Sequence, residues 1–195
     1  MGLIPVADAQ VATIVTSLEM RERPRPRPLP DSRLRLVRWK TPALATYRAL
    51  FARVGAPWLW FSRLVMDDTT LGRIVHDPGI EVYAVTDPAG IEVGMLELDF
   101  RDAGHCELSY VGLIPELTGQ GHGRWLMAQA LQRAWAPGVE RVWVHTCTLD
   151  HPKALGFYRA SGFVAYKRTI ETFDDPRATG ILPPASAPQI PYLAT

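Results

Sequence analysis

The chain has 195 residues, 47% of them hydrophobic, and a formal net charge of +1. That length suits one domain with a terminal extension, and the apolar share is enough for a sizeable core. The near-zero charge excludes the electrostatic footprint of a nucleic-acid binder or of a protein drawn to an anionic membrane. No apolar run approaches a membrane span, and no basic N-terminal stretch precedes a sustained apolar core, so the expected location is cytoplasmic. Cys106 and Cys147 lie in separate strand-like runs without metal spacing. They read as reduced core residues, with a disulfide or reactive thiol as the minor case, and no metal is expected.

Val11 to Met20 is rich in β-branched residues and predicts a strand. The prolines of RERPRPRPLP (21–30) forbid helix and central strand. They predict a stiff extended connector between strands, with a Pro-rich ligand for an SH3-like partner as the other reading. Leu34 to Trp39 alternates apolar and basic residues, as a half-buried strand does. Thr41 and Pro42 predict a helix cap and first helical residue. Leu44, Tyr47, Leu50, Phe51 and Val54 follow at helical spacing and Gly55 as the stop. Trp58, Trp60 and Phe61 form an aromatic patch, either a satellite of the core or one wall of an acceptor pocket. A short helix is predicted over Asp68 to His76, before a Pro-Gly turn.

From Gly79 the pattern changes to three strands, GIEVYAVTD, IEVGMLELDF and HCELSYVGLI, joined at Pro88–Gly90 and Asp102–Gly104. They predict an antiparallel meander. The last strand runs into Gly119, Gly121 and Gly123, and then into an amphipathic helix with Leu126, Ala130 and Ala134 on one ridge and Met127, Leu131 and Trp135 on the next. A strand, a glycine turn and a helix N-terminus together can hold an anion. Glycines bring backbone N–H groups inward, and the first helical turn offers unpaired donors and a positive dipole end. The spacing fits neither GxxxxGK[ST] nor GxGxxG, which excludes a Walker A loop and a dinucleotide fingerprint.

Arg141 to Thr148 is a further predicted strand. Asp150 is expected to cap a helix with Pro152 in its first turn and Gly162 at its end, followed by the strand FVAYKRTIETF. The proline-rich tail from Asp174 is expected to be an extended surface segment or disordered. The order of elements predicts a mixed α/β sheet with helices on both faces. The expected divisions are an N-terminal strand and connector over 1–30, a main domain over 31–173 and the tail over 174–195.

The segment TGQGHG between strand and helix resembles the pyrophosphate loop of the GNAT superfamily of N-acetyltransferases, [Gln/Arg]-x-x-Gly-x-[Gly/Ala]. Gly121 and Gly123 match its last two marked positions, and Thr118 replaces the Gln or Arg. ALGFYRASGF resembles the superfamily's later motif, with Ala154, Tyr158, Gly162 and Phe163 in place, while an Asn common shortly before that Ala is missing. The resemblance covers roughly 33–173. It implies a mostly antiparallel (α+β) sheet and an acetyl-CoA co-substrate. Backbone contacts from Val111, Gly112 and Leu113 to the pantetheine arm are implied, and a pyrophosphate cradle from Leu117, Thr118, Gly119, Gln120, Gly121, His122, Gly123 and Arg124.

Acetyl transfer to an amine needs a base for the ammonium, a donor for the thioester oxygen and an acid for the leaving thiolate. By the resemblance Tyr158 is the candidate acid and Glu107 the candidate base. Glu97 and a base acting through water are competitors, and His145 reads as a core histidine more readily than as a base. The acceptor site is implied over 47–71, and Arg63 there would suit an acceptor bearing a carboxylate. The expected activity is N-acetyl transfer to a primary amine of a small molecule, amino acid or protein. A catalytically weak CoA-binding module and transfer of another acyl group are the alternatives. The expected partner is that amine, with a homodimer left open and neither nucleic acid nor membrane.

Overall fold

The computed structural model describes residues 2–25 and 27–193. Residues 1, 26, 194 and 195 of the expected terminal segments lie outside the described residues. Seven strands form a single sheet: β1 (Gln10–Met20), β2 (Arg35–Trp39), β3 (Ile80–Thr86), β4 (Glu92–Asp99), β5 (His105–Leu113), β6 (Arg141–Cys147) and β7 (Val164–Asp174). Their order is β2-β3-β4-β5-β6-β1-β7. Every neighbouring pair is antiparallel except β5 and β6. The helices are α1 (Leu44–Gly55), α2 (Asp68–Val75), α3 (His122–Ala134) and α4 (Ala154–Ala160).

Alternation along the strands sorts the side chains onto two faces. On one face Val82, Ala84 and Met95 pack under Tyr47, Phe51 and Val54 of α1 and Leu71 and Val75 of α2. On the other, Leu96, Leu98, Leu108, Val142 and Val144 pack under Trp125, Leu126 and Ala130 of α3. Each helix thus buries one apolar stripe, and helices cover both faces as the element order predicts. The meander β3-β4-β5 is as expected, and its first turn closes on Asp87, whose Oδ1 accepts from the amides of Ala89 and Ile91.

Three local expectations are corrected. Helix α1 starts at Leu44 with Ala43 at its cap and no side-chain capping bond. The Pro42 carbonyl instead accepts from His76 Nε2 at 2.9 Å, so the Thr41-Pro42 pair serves the junction with α2. Helix α4 starts at Ala154, with Lys153 rather than Asp150 at its cap. The tail is neither extended nor disordered: it folds around Arg177. That guanidinium pairs with Asp175 at 2.7 Å, donates to the Ile190 carbonyl at 2.9 Å and lies 4.9 Å from the centre of the Tyr192 ring.

The tail then packs Leu182 and Ala187 against Val11 and Leu59 in a third small core. Leu59 has φ 56, a left-handed backbone that costs a residue with a Cβ about 1–2 kcal/mol. Its burial in that core, and a bond from Gln189 Nε2 to the Pro57 carbonyl at 2.6 Å, hold the loop in place.

Candidate active site

The site is made by a failure of pairing. Strands β5 and β6 are hydrogen-bonded only where His105–Glu107 face Arg141–Trp143, after which both continue and diverge. The divergence begins beside a bulge: Leu98 pairs with Leu108 and Glu97 with Tyr110, leaving Ser109 as the extra residue of β5. Bulges bend a strand and increase its twist. From Leu108 to Leu113, β5 pairs with β4 alone, and its other edge turns unpaired backbone toward a cavity of about 550 Å³. Leu108, Tyr110, Gly112 and Leu113 line one wall, and Val15 of β1 with His145 and Cys147 of β6 line another.

At Gly112 a Cβ would stand 2.7 Å from Val54 and 3.1 Å from Trp60. The absence of a side chain therefore lets α1 and the aromatic loop close over the strand. Trp60 in turn packs on Tyr110 and Phe51, with ring centres 5.2 and 5.8 Å apart. Trp60 of the aromatic patch joins the core, and with Trp58 and Phe61 it lines the cavity.

At one end of the cavity lies the glycine turn. Gly119 and Gly121 have φ of 81° and 85°, the left-handed region that side chains avoid, and Gly121 is the cap of α3. Among the described residues the backbone amides of Gly119, Gln120 and Gly121 donate to no protein acceptor. Three free amides at a helix N-terminus are donors of the kind that can hold an anion. Val111, Gly112, Leu113, Leu117, Thr118, Gly119 and Gly123 line the cavity. The side chains of Gln120 and His122 turn elsewhere, Gln120 donating to the Glu116 carbonyl at 2.8 Å and His122 Nδ1 meeting Ser32 Oγ at 2.9 Å, while Arg124 is exposed with its guanidinium beside Gly121, 3.7 Å from where a Cβ would stand.

Tyr158 comes into the cavity from α4. Its ring is buried between Phe157 and Phe163, at centre distances of 5.8 and 6.0 Å. Burial pushes the phenol well above its ordinary value, and the nearby Asp150 carboxylate adds to the rise, so the proton stays on the oxygen at neutral pH. Glu107 does not line the cavity. It stands where β5 and β6 part, its Oε1 3.3 Å from Nδ1 of His145, and His145 does line it. The Glu107 carboxylate is the main reason that the His145 imidazole lies above its ordinary value; burial opposes the shift, and Asp150 and Glu171 add to it.

Glu97 and Arg63 sit outside the cavity lining, in the core under α1. Glu97 is fully buried and accepts from both Tyr47 and Arg63. Burial by itself disfavours the Arg63 charge, and the adjoining Glu97 carboxylate overcomes this and holds the guanidinium above its ordinary value. The pair is an internal tie, and Arg63 does not offer its charge to an acceptor. Several residues that face the cavity were read otherwise in the sequence. Cys147 looked like core, Asp150 like a cap and His145 like a packed histidine, while Glu171, Phe173 and Thr13 carried no signal. Asp150 accepts from Thr146 Oγ1 at 2.6 Å, the Cys147 amide at 3.0 Å and Trp60 Nε1 at 3.2 Å, fixing the loop after β6. The alternation Trp143-His145-Cys147 within β6 does put all three on one face, a signal the periodicity contained.

The model of the acetyltransferase (GNAT) family matches residues 56–163, more than half of the chain. No curated protein gives a significant match. Among solved structures, a GCN5-related N-acetyltransferase from Sphaerobacter thermophilus is 19% identical with a TM-score of 0.59, the match covering 83% of this chain. The chain spans about half of that protein's length, 51%. An aminoglycoside acetyltransferase from an uncultured soil metagenomic sample, in complex with trehalose, is 19% identical with a TM-score of 0.57, covering 71% of this chain and 93% of its own. The IAA acetyltransferase of Bacillus cereus is 17% identical with a TM-score of 0.52, covering 69% and 79%. At these identities the likeness is one of fold.

Proposed function

The chain belongs to the acetyltransferase (GNAT) family, and from that premise we propose that it transfers the acetyl group of acetyl-CoA to a primary amine, by direct attack within a ternary complex and in the cytoplasm. One observation carries the reading. The cleft between the diverging strands is lined by the glycine turn with its unpaired amides, by Tyr158 and by His145, which Glu107 meets from behind the lining. The turn suits a pyrophosphate, and the free edge of β5 at Val111–Leu113 suits the amide-bearing pantetheine arm laid alongside it as an added strand.

In the proposed reaction the Glu107–His145 pair takes a proton from the ammonium, His145 receiving it and Glu107 stabilising the imidazolium. The freed nitrogen attacks the thioester carbonyl and a C–N bond forms. Collapse of the tetrahedral intermediate breaks the C–S bond, and the thiolate takes the Tyr158 proton. The second proton lost by the nitrogen restores the phenol. The net products are the acetamide, CoA thiol and one proton. Base function thus moves from Glu107 alone to a pair in which Glu107 is the positioning member.

Calorimetric titration of acetyl-CoA into the protein, with Gly121→Glu as the control, tests this. Binding in the micromolar range that the substitution abolishes is the expected result. A wild-type protein that binds no acetyl-CoA would remove the reading.

A further inference from the structure

The end of the cavity away from the glycine turn has a lining of narrow chemistry. Trp58, Trp60 and Phe61 come from the loop after α1, and Phe173 from β7. The Phe61 and Phe173 rings meet at 4.8 Å, so the loop and the strand close into one aromatic wall. Glu171, two residues before Phe173 and therefore on the same face of β7, is exposed and borders the same space. Among the described residues the Glu171 carboxylate makes no hydrogen bond or ion pair, unlike that of Asp150, whose oxygens are taken by Thr146, Cys147 and Trp60. Its charge acts on His145, so it stands near the proton-accepting pair.

The arginine nearest that loop is already paired. Arg63 is locked to Glu97 in the core, and the lysine of the lining, Lys153, belongs to the start of α4, one turn before Phe157. The Phe157 ring lies 3.8 Å from where a Gly123 Cβ would stand, while the other side of that turn meets the aromatic wall: His151 Nδ1 accepts from the Lys153 amide at 3.1 Å, and the His151 ring lies 5.4 Å from that of Trp58. The acceptor end therefore offers aromatic faces, the His151 imidazole and an unpaired carboxylate. Aromatic faces attract an ammonium and bury an apolar body; a carboxylate pairs with an ammonium and repels an acid.

Resting on the acetyl-transfer reading, we infer that the acceptor is an arylalkylamine without a carboxylate, its ring held by Trp58, Phe61 and Phe173 and its ammonium by Glu171, which delivers it to His145. Glu171 is then a specificity residue. An α-amino acid would bring its carboxylate against Glu171, and a polyhydroxylated amine would leave its hydroxyls unmatched on apolar walls.

The test measures CoA-thiol release by the full chain with acetyl-CoA and four acceptors: 2-phenylethylamine, tryptamine, phenylalanine and an aminoglycoside. Acetyl-CoA affinity is followed separately by calorimetry. We expect kcat/KM for phenylethylamine or tryptamine to exceed that for phenylalanine by a hundredfold or more. Glu171→Gln should raise the amine KM tenfold or more and leave acetyl-CoA affinity unchanged. Acetyl-CoA binding with a preference for phenylalanine or the aminoglycoside, or an amine KM indifferent to Glu171→Gln, overturns the inference and leaves the acetyl-transfer reading standing. Absence of acetyl-CoA binding removes that reading, and the inference with it.

Discussion

Two side chains of this cavity have protonation states set by what surrounds them. Burial keeps the Tyr158 phenol protonated, which a donor to a departing thiolate requires. Tyr158→Phe keeps the packing with Phe157 and Phe163 and removes only the hydroxyl. It should lower kcat by roughly 10- to 1,000-fold with little change in acetyl-CoA affinity; unchanged turnover would exclude the acid role. His145 is displaced upward, chiefly by Glu107. Its free-base form, the one that accepts a proton, is lost as pH falls through that raised value, so kcat/KM should decline on the acid side with an apparent pKa above about 6.5. Glu107→Gln removes the largest cause of the rise and should move that limb to lower pH. A pH–rate profile with an unmoved limb would separate the pair from the chemistry.

Among the elements, the glycine turn and the C-terminal tail make contrasting demands on the chain. The turn works by leaving amides unpaired, and it tolerates this because Thr118, Gly119 and Gln120 are exposed to water. Gly121→Ala puts a Cβ on a residue at φ 85 without adding charge. The substitution should cost about 1 kcal/mol or more of stability and weaken acetyl-CoA binding, read by thermal melting and calorimetry. The tail works in the opposite way, by pairing its buried charges. Arg177 and Asp175 have side chains 1% and 5% exposed, so removing one leaves the other buried without its partner. Arg177→Ala should destabilise the protein by about 3–5 kcal/mol in urea unfolding. Burial alone would raise Asp175, but Arg177 and neighbouring amides overcome it and hold the carboxyl below its ordinary value. The stability that Asp175 contributes is therefore complete above its unfolded value, near 3.9, and is lost as pH falls through the lower folded one. Tail opening monitored by proteolysis should accordingly begin only in acid.

For the whole molecule, the organising fact is that one sheet is asked to be continuous and open at once. Strands β5 and β6 stay joined at three residues and then part, while β4 holds β5 from one side and β1 holds β6 from the other. The N-terminal strand, first in sequence, lies between β6 and β7 at the far end of the sheet from its chain neighbour β2. It is therefore not a separable extension in packing terms: Thr13 and Val15 line the cavity. Under α1, the Arg63–Glu97–Tyr47 cluster ties the loop after α1 to β4. Arg63→Ala should cost about 3–5 kcal/mol in global stability. If stability were unaffected and only an acidic acceptor's KM rose, the assignment of Arg63 to the core would be wrong.

Much of this was legible along the chain because it rests on local rules. Period-2 and period-3.6 patterns give the strands and helices, the alternating glycines 119 and 121 mark the left-handed turn before α3, and Tyr158 stands in a motif whose spacing is a property of one segment. The sequence by itself determined the element order, the family and one end of the site. What only the tertiary structure decided is everything that depends on which strands become neighbours. Pairing β1 with both β6 and β7 brings Glu171 and Phe173 to the cavity, and parting β5 from β6 makes the Glu107–His145 pair. Burial converts Arg63 and Glu97 from site candidates into a core tie, and the tail's prolines fold because Arg177 finds carbonyls fourteen residues on. Such contacts join residues far apart in sequence, and their energies exist only once the sheet has assembled.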